Sequence, residues 1–389
     1  MGKAGARATA RAAGFLDVYT KDVTRKDLAR LFTRDTRDAY RAFAKTIDFD
    51  TLNTLPWPKR VVGHARAFLV AFSLKLSPAR RVLYAIALAT AVLGFLAFSG
   101  SVDIARHADD KSFSIQIQQN GAWYLVTSIV LFNLLVVLEV ADRLSLKNDL
   151  DVARDIQLAM LPTETVHAVG AEVHGLTRPA NTVGGDFFDI ERLDDGRLLV
   201  AVGDVAGKGS PAALLMALLL AMLRVLLDEP TDLASLMTRL NTHIVRHAPG
   251  TRFITMFMAS FDPATGDLVY VNAGHPPALL RHRDGSVDAL AEGGVALGMF
   301  AGSQYGTFST TLAPGDVLAI YSDGITEAEH PARGFFDENG LRRSLERGAD
   351  LAPADLCRAV FADVEAHVDE ARLSDDLTIL VLRRPELAA

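Results

Sequence analysis

The sequence predicts an α+β protein in which packed sheets are covered by helices, preceded by two apolar membrane-spanning helices and a basic helical N-terminal region. Three observations carry that expectation. Val82 to Gly100 and Ala122 to Leu138 are runs of 19 and 17 residues without a charged side chain. Beyond Pro162, short runs with β-branched or alternating apolar residues are separated by hairpin punctuation such as Asp194-Asp195-Gly196, Pro263-Ala264-Thr265-Gly266 and Asp284-Gly285. Stretches of helical length are inserted among those runs, so helix and sheet mix within one body.

Residues 1–78 read as a basic, mostly helical cytoplasmic region, with Pro56 and Pro58 marking a break. Residues 1–81 hold 17 Lys+Arg against 7 Asp+Glu, whereas the remainder holds 23 against 40. An acidic body repels a phosphate backbone, so nucleic acid is not expected as a partner. A basic head beside apolar spans suits the cytoplasmic face of a membrane and its lipid. Residues 79–140 hold the two spans, at about 82–100 and 122–138, against the roughly 20 apolar residues a bilayer requires. Trp123 and Tyr124 fall where an interfacial aromatic belt belongs. The segment between the spans, 101–121, has three Asp against one Arg and one Lys, while Lys75, Arg80, Arg81, Arg143 and Lys147 flank the outer ends. The positive-inside rule therefore places a short loop outside and both termini, with the body, in the cytoplasm. A pair of buried helices in a soluble domain is the bland alternative, but each run is apolar all round rather than along one stripe.

Residues 139–161 read as a connecting helix, free of Gly and Pro until Pro162. Its apolar residues recur at three- and four-residue steps (Leu146, Leu150, Ala153; Val152, Ile156, Ala159). An ordinary packed helix and a short coiled-coil homodimer both fit, since three unbroken heptads are not present. The third apolar run, Pro211 to Leu227, is interrupted by Arg224 and follows Ser210 as its expected N-cap. It reads as a core helix, because a span there would put Asp204 and Asp323 on opposite sides of the membrane. Within the body, 162–385, strands are expected at 171–179, 187–193, 196–205, 254–262, 267–274 and 316–324, and helices at about 211–228, 231–247 and 353–370. The single cysteine, Cys357, excludes an internal disulfide and reads as a buried structural thiol in a reducing compartment.

Chemistry concentrates in four aspartates in turn-like settings: Val-Gly-Gly-Asp186, Gly-Asp204-Val-Ala-Gly-Lys-Gly, Tyr-Ser-Asp323-Gly and Ser-Asp375-Asp376-Leu-Thr. Asp beside Gly is ordinary turn chemistry, so any one of them alone says little. Together, at strand ends, they would repel one another unless cations sat between them, and hard oxygen donors suit Mg²⁺ or Mn²⁺. Two such ions would supply hydroxide for in-line attack on phosphorus and hold the phosphoryl oxygens, which points to hydrolysis of a phosphate ester. Other nucleophiles are wanting: there is no Gly-x-Ser-x-Gly, and Cys357 has no neighbouring base. Gly203 to Gly209 lacks the spacing of a P-loop. His275 fits a loop-packing role or a metal ligand.

The blocks ARDIQLAMLP, RPANTVGGDFFDI, VAVGDVAGKGSPAALLMA, LVYVNAGHPPALL, AIYSDGITEA and SDDLTILVL, in this order over about 150–384, resemble the SpoIIE-type bacterial branch of the metal-dependent protein phosphatases, the protein phosphatase 2C superfamily. The resemblance implies an α-β-β-α sandwich with two Mn²⁺ or Mg²⁺ ions at one edge. By motif position, Asp204 resembles the acid that bridges both ions, with the Val205 carbonyl on the first. Asp323 and Asp375 resemble ligands of the second ion. Asp186 resembles the acid holding the first ion's waters, with Asp189 and Asp376 as supporting acids. Ala206 stands where eukaryotic relatives carry a histidine proposed as general acid, which leaves protonation of the leaving group unassigned. Ser322 replaces a common Thr. The implied substrate is a phosphoserine or phosphothreonine protein of the anti-sigma-factor antagonist type, reached from the bacterial cytoplasmic membrane. Two rivals share the same residues: an inactive membrane scaffold or receptor on the phosphatase fold, and a two-metal nucleotide enzyme.

Overall fold

The computed structural model describes residues 56–107, 111–228, 232–248, 252–369, 371 and 373–386. The helical character expected over 1–55 lies outside the described residues. The chain divides into two compact units, Met1–Arg143 and Leu144–Ala389.

In the first unit, α1 (Trp57–Lys75) begins where the Pro56/Pro58 pair was read as a break: Pro56 caps the helix and Pro58 sits in its first turn. Extended Leu76 separates it from α2 (Pro78–His107), and α3 runs from Lys111 to Ala159. Contacts between α2 and α3 are specific. Ser128 Oγ donates to the Ala87 carbonyl at 2.9 Å, Tyr84 meets the Phe132 ring edge-on at 5.9 Å, and Arg80 reaches Glu139 at 3.1 Å and Asp142 at 2.6 Å. A Cβ on Gly94 would lie 2.8 Å from Leu125, so the glycine is what lets the two backbones approach. Away from that seam Val82, Ile86, Leu93, Phe95, Ile129, Val130 and Val137 are exposed. Both helices contain a segment long and apolar enough to cross a membrane. The expected loop over 101–121 is mostly helical backbone, up to His107 and again from Lys111. No Gly or Pro lies between Gly100 and Gly121, so polarity ends the apolar run without ending the helix.

The second unit has four layers. One sheet runs β1 (Val166–Ala168), β2 (Ala171–Arg178), β13 (Leu377–Arg383), β10 (Val317–Tyr321), β7 (Ala278–Arg281), β8 (Val287–Leu290). The other runs β3 (Phe187–Arg192), β4 (Leu198–Val205), β5 (Ile254–Phe261), β6 (Asp267–Ala273), β9 (Phe308–Thr311). Every pairing is antiparallel. Helices α4 (Ser210–Leu227) and α5 (Leu233–His247) cover the five-stranded sheet. A one-turn α6 (Asp323–Thr326) leads through the small hairpin β11 (Glu329–His330) and β12 (Gly334–Phe335) to α7 (Asp337–Arg347). Then α8 (Pro353–Val368) packs on β2 and β13. The order is helix, sheet, sheet, helix.

Alternation along β13 shows how both faces of a sheet are used. Leu380 and Leu382 join the central core with β4 and α4, while Leu377, Ile379 and Val381 join the core under α8. The sheets meet closely where Gly175 of β2 faces Phe188 of β3, since a Cβ there would lie 2.3 Å from the ring. The apolar run of α4 faces inward through Leu215, Met216, Leu219, Leu220 and Leu223, so a helix long enough to span a bilayer is a core helix here. Its cap is Gly209 at φ 77°, with Ser210 already helical, one residue from the expected position. Strands β7, β8, β9 and β13 were not among the expected runs. The first three are four residues long, and β13 is buried on both faces, which removes the alternation that marks a strand.

Candidate active site

Five of the six sequence-picked acids sit where a strand begins or ends; Asp189 lies within β3. Asp186 precedes β3, Asp204 is the penultimate residue of β4, Asp323 follows β10 by one residue and opens α6, and Asp375 and Asp376 precede β13. Antiparallel pairing of β3 with β4 sets Phe187 opposite Gly203, and pairing of β10 with β13 sets Tyr321 opposite Ile379. These registers bring five carboxylates from two sheets to one edge.

The acids feel one another strongly. Burial, and next the Asp204 carboxylate, hold Asp186 well above the ordinary carboxylate range, against hydrogen bonds from Ser322 and Thr378. One Asp186 oxygen, Oδ2, is buried with no hydrogen-bond partner. Asp204 is pushed up to about 6, first by burial, then by repulsion from Asp323, with Asp375 and Asp376 adding to it; a hydrogen bond to Asp186 opposes the shift. Asp323 is raised by burial and then by Glu327 and Asp375. Asp376 is raised by burial, although the Ala180 and Gly185 amides donate to it at 2.7 and 2.8 Å. Lys208 extends to Asp375 at 2.9 Å and to the Ser374 carbonyl.

Glycine permits this crowding. A Cβ on Gly185 would lie 2.8 Å from the Val205 carbonyl and 3.1 Å from Asp204 Oδ1, so a carbonyl and a carboxylate converge on that turn. The donor set is all oxygen, the kind that Mg²⁺ and Mn²⁺ prefer, and the orphaned Asp186 oxygen wants a positive partner. The residues fit a divalent-ion site. They do not form a closed cage: among the described residues no three His, Cys, Asp or Glu side chains are gathered tightly round one point.

Asp189 belongs elsewhere. It is fully buried, and both its oxygens are bound by Arg224 of α4, at 3.0 and 2.9 Å. Arg224 also donates to the Met160 carbonyl at 2.7 Å, just past the end of α3. His275 is packed into its loop: the backbone amide donates to Asn272 Oδ1 at 2.8 Å, Nδ1 lies 3.0 Å from Thr255 Oγ1, and burial drives the ring down to about 3. Sequence reasoning missed Arg224 as the partner of Asp189, and it missed Gln157, which is buried against Gly184. A lone charge in an apolar run and a lone amide at a domain junction were the available signals. Along the connecting helix, Leu150 and Ala153 are half-buried on the row that ends in buried Gln157, whereas Leu146, Val152 and Ile156 are exposed.

The second unit is thus a helix-sheet-sheet-helix sandwich with a cluster of aspartates at one edge. Residues 194–385 match the family Stage II sporulation protein E (SpoIIE). Protein IcfG of Synechocystis sp. (strain ATCC 27184 / PCC 6803 / Kazusa) is 28% identical over 277 residues, covering 64% of this chain and 43% of that protein. Phosphoserine phosphatase RsbU of Bacillus subtilis (strain 168) is 26% identical over 240 residues, covering 61% of this chain and 71% of RsbU. The chain thus spans less than half the length of IcfG. The SiaA-PP2C domain of Pseudomonas aeruginosa superposes with a TM-score of 0.55 at 24% identity, covering 62% of this chain and 98% of that domain, and shares the fold.

Proposed function

We propose that this chain is a membrane-anchored serine/threonine protein phosphatase that removes phosphate from a regulatory protein of the anti-sigma-factor antagonist type. The observation that carries the reading is the group of mutually repelling, partly buried aspartates at the edge where the two sheets meet. Two Mn²⁺ or Mg²⁺ ions bound there would supply Lewis acidity and a nucleophilic water at neutral pH. Asp204 and the Val205 carbonyl would hold them from the five-stranded sheet, and Asp323 and Asp375 from the six-stranded sheet. Asp186 would orient the attacking water, and Asp376 braces the turn that carries it. Lys208 sets a positive charge at the rim, where a phosphoryl dianion enters.

α2 and the first part of α3 would form a transmembrane hairpin, with both termini and the phosphatase domain on the cytoplasmic side of a bacterial membrane. The exposed Val152 and Ile156, one turn apart on α3, are the surface a second copy would cover in a homodimer. The test uses the full chain in lipid. Phosphate release from a phosphoserine antagonist protein should require Mn²⁺ or Mg²⁺ and stop on chelation; no release, or release indifferent to chelator, sinks the proposal.

Gly185→Ala gives a second check. Its methyl group would displace the Val205 carbonyl or the Asp204 carboxylate, so the Mn²⁺-induced rise in melting temperature should need about tenfold more Mn²⁺ or worse. An unchanged titration would mean that these oxygens do not hold the ion.

A further inference from the structure

Lys208 carries a positive charge into the acid edge. It stands between Gly207 at φ 105° and Gly209 at φ 77°, both in the left-handed region, so the chain leaves β4 in a loop that bears this side chain. The loop is pinned. Arg252 Nη1 donates to the Ala206 carbonyl at 3.0 Å, and a Cβ on Gly207 would lie 2.5 Å from the same nitrogen. From there Lys208 reaches across to the residues before β13, which belongs to the other sheet. Its Nζ lies 2.9 Å from Asp375 Oδ2 and donates to the Ser374 carbonyl.

Asp375 has both oxygens engaged: Oδ1 accepts from the Asp376 amide at 3.0 Å, and Oδ2 holds the ammonium. The other acids feel the same charge. Asp376 and Asp204 act on Lys208 after Asp375, and Lys208 opposes the rise that burial gives Asp323. A divalent ion ligated by Asp375 would lie about 2.1 Å from its oxygen. Ammonium and ion would then share one carboxylate a few ångströms apart, where like charges repel. The paired side chains are 52% and 42% exposed, so the bond is weak enough to yield to a doubly charged rival.

We propose that Lys208 and a divalent ion compete for Asp375, and that binding of the ion releases the ammonium to receive the phosphoryl oxygens of the substrate. The inference rests on the metal-dependent phosphatase reading and goes beyond it, by making one side chain first a rival of the ion and then a ligand of the phosphate. The released ammonium stays at the acid edge, because Arg252 holds its loop at Ala206. There a phosphoryl dianion replaces Asp375 as the anion it binds, through a charge-assisted hydrogen bond. A lysine that only braced the Ser374-Asp375 turn would instead help the ion, by keeping its ligand in place.

The experiment compares the full chain in lipid with Lys208→Gln and Lys208→Arg, and melting is recorded to verify that each variant folds. Free Mn²⁺ is followed by its electron paramagnetic resonance signal during titration, and inorganic phosphate is then titrated into the Mn²⁺-loaded proteins. Removing a competitor of this strength should tighten Mn²⁺ binding in Lys208→Gln by about threefold to fivefold, while Lys208→Arg keeps the charge and should stay within about twofold of wild type. Phosphate should bind Lys208→Gln about tenfold more weakly, the loss of one hydrogen bond to a charged group. On the unaltered chain, labelling of Lys208 by an amine-reactive ester should rise when Mn²⁺ is added. Mn²⁺ binding that is unchanged or weaker in folded Lys208→Gln overturns the competition. Phosphate affinity equal to wild type, or labelling that Mn²⁺ does not raise, overturns the release. Wild-type protein that binds no Mn²⁺ overturns the phosphatase reading itself, an outcome told apart because it is read before any substitution.

Discussion

Asp204→Asn should abolish metal-dependent phosphate release and, at the same time, stabilise the metal-free protein at pH 7. The two effects have one cause. In the folded state Asp204 is raised from 3.8 to about 6 by burial and by its acidic neighbours. A carboxyl whose pKa is raised on folding binds more protons folded than unfolded between those values, so its contribution to stability falls as pH rises through that window. Near pH 4 the penalty is absent; by pH 7 it is complete and amounts to roughly 2–3 kcal/mol. Asparagine removes it. Denaturant melts of chelated wild type and variant should therefore coincide near pH 4 and diverge in the variant's favour above pH 6. A variant less stable at pH 7, or one that still hydrolyses substrate with Mn²⁺, would contradict the role given to Asp204. Adding Mn²⁺ should reverse the order, because only the wild type keeps the acid proposed to bind it.

The second large effect is structural. Arg224→Ala leaves the fully buried Asp189 without its counter-charge, retaining only the Ile190 amide at 3.1 Å. Stripping one partner from a buried ion pair costs about 3–5 kcal/mol. For a unit of this size that lowers the melting temperature by roughly 10 °C. Arg224→Lys should rescue little, since a point charge cannot reproduce a fork that binds both Asp189 oxygens and the Met160 carbonyl. Replacing the pair together, Asp189→Leu with Arg224→Met, should recover much of the loss. A single Arg224→Ala substitution that moved melting by less than about 2 °C would show that water, not the guanidinium, satisfies Asp189.

Much of this was legible in the chain, and the gaps have physical reasons. Glycines beside acids at the ends of β-branched runs marked where Asp186, Asp204 and Asp323 stand, because turn chemistry is local. The strands that escaped were short, like β7 to β9, or buried on both faces, like β13. Alternation is a signal of half-buried sheet, and it vanishes when both faces are covered. Asp189 shows a different limit. Its motif position suggested a supporting acid near the ions, and the sequence did not show that both its oxygens are bound by a guanidinium 35 residues on. The sequence leaves open which apolar row of the connecting helix packs, because exposed and buried apolar stripes look alike in a periodic pattern. Only the partner surface decides which one packs, and Gln157 marks it.

The acids have an allegiance that their numbers conceal. Asp186 and Asp204 hang from the five-stranded sheet, while Asp323, Asp375 and Asp376 hang from the six-stranded one. Any cation they share is a rivet through two plates. Its grip measures how well the plates are aligned, so affinity for metal is a gauge of sheet docking, and a slide of one layer past the other by a fraction of an ångström would be felt first as a loosened ion. A force applied to either plate, from the helices that cover it or from the helix that enters the domain, therefore has a direct route to the chemistry without touching a single ligand.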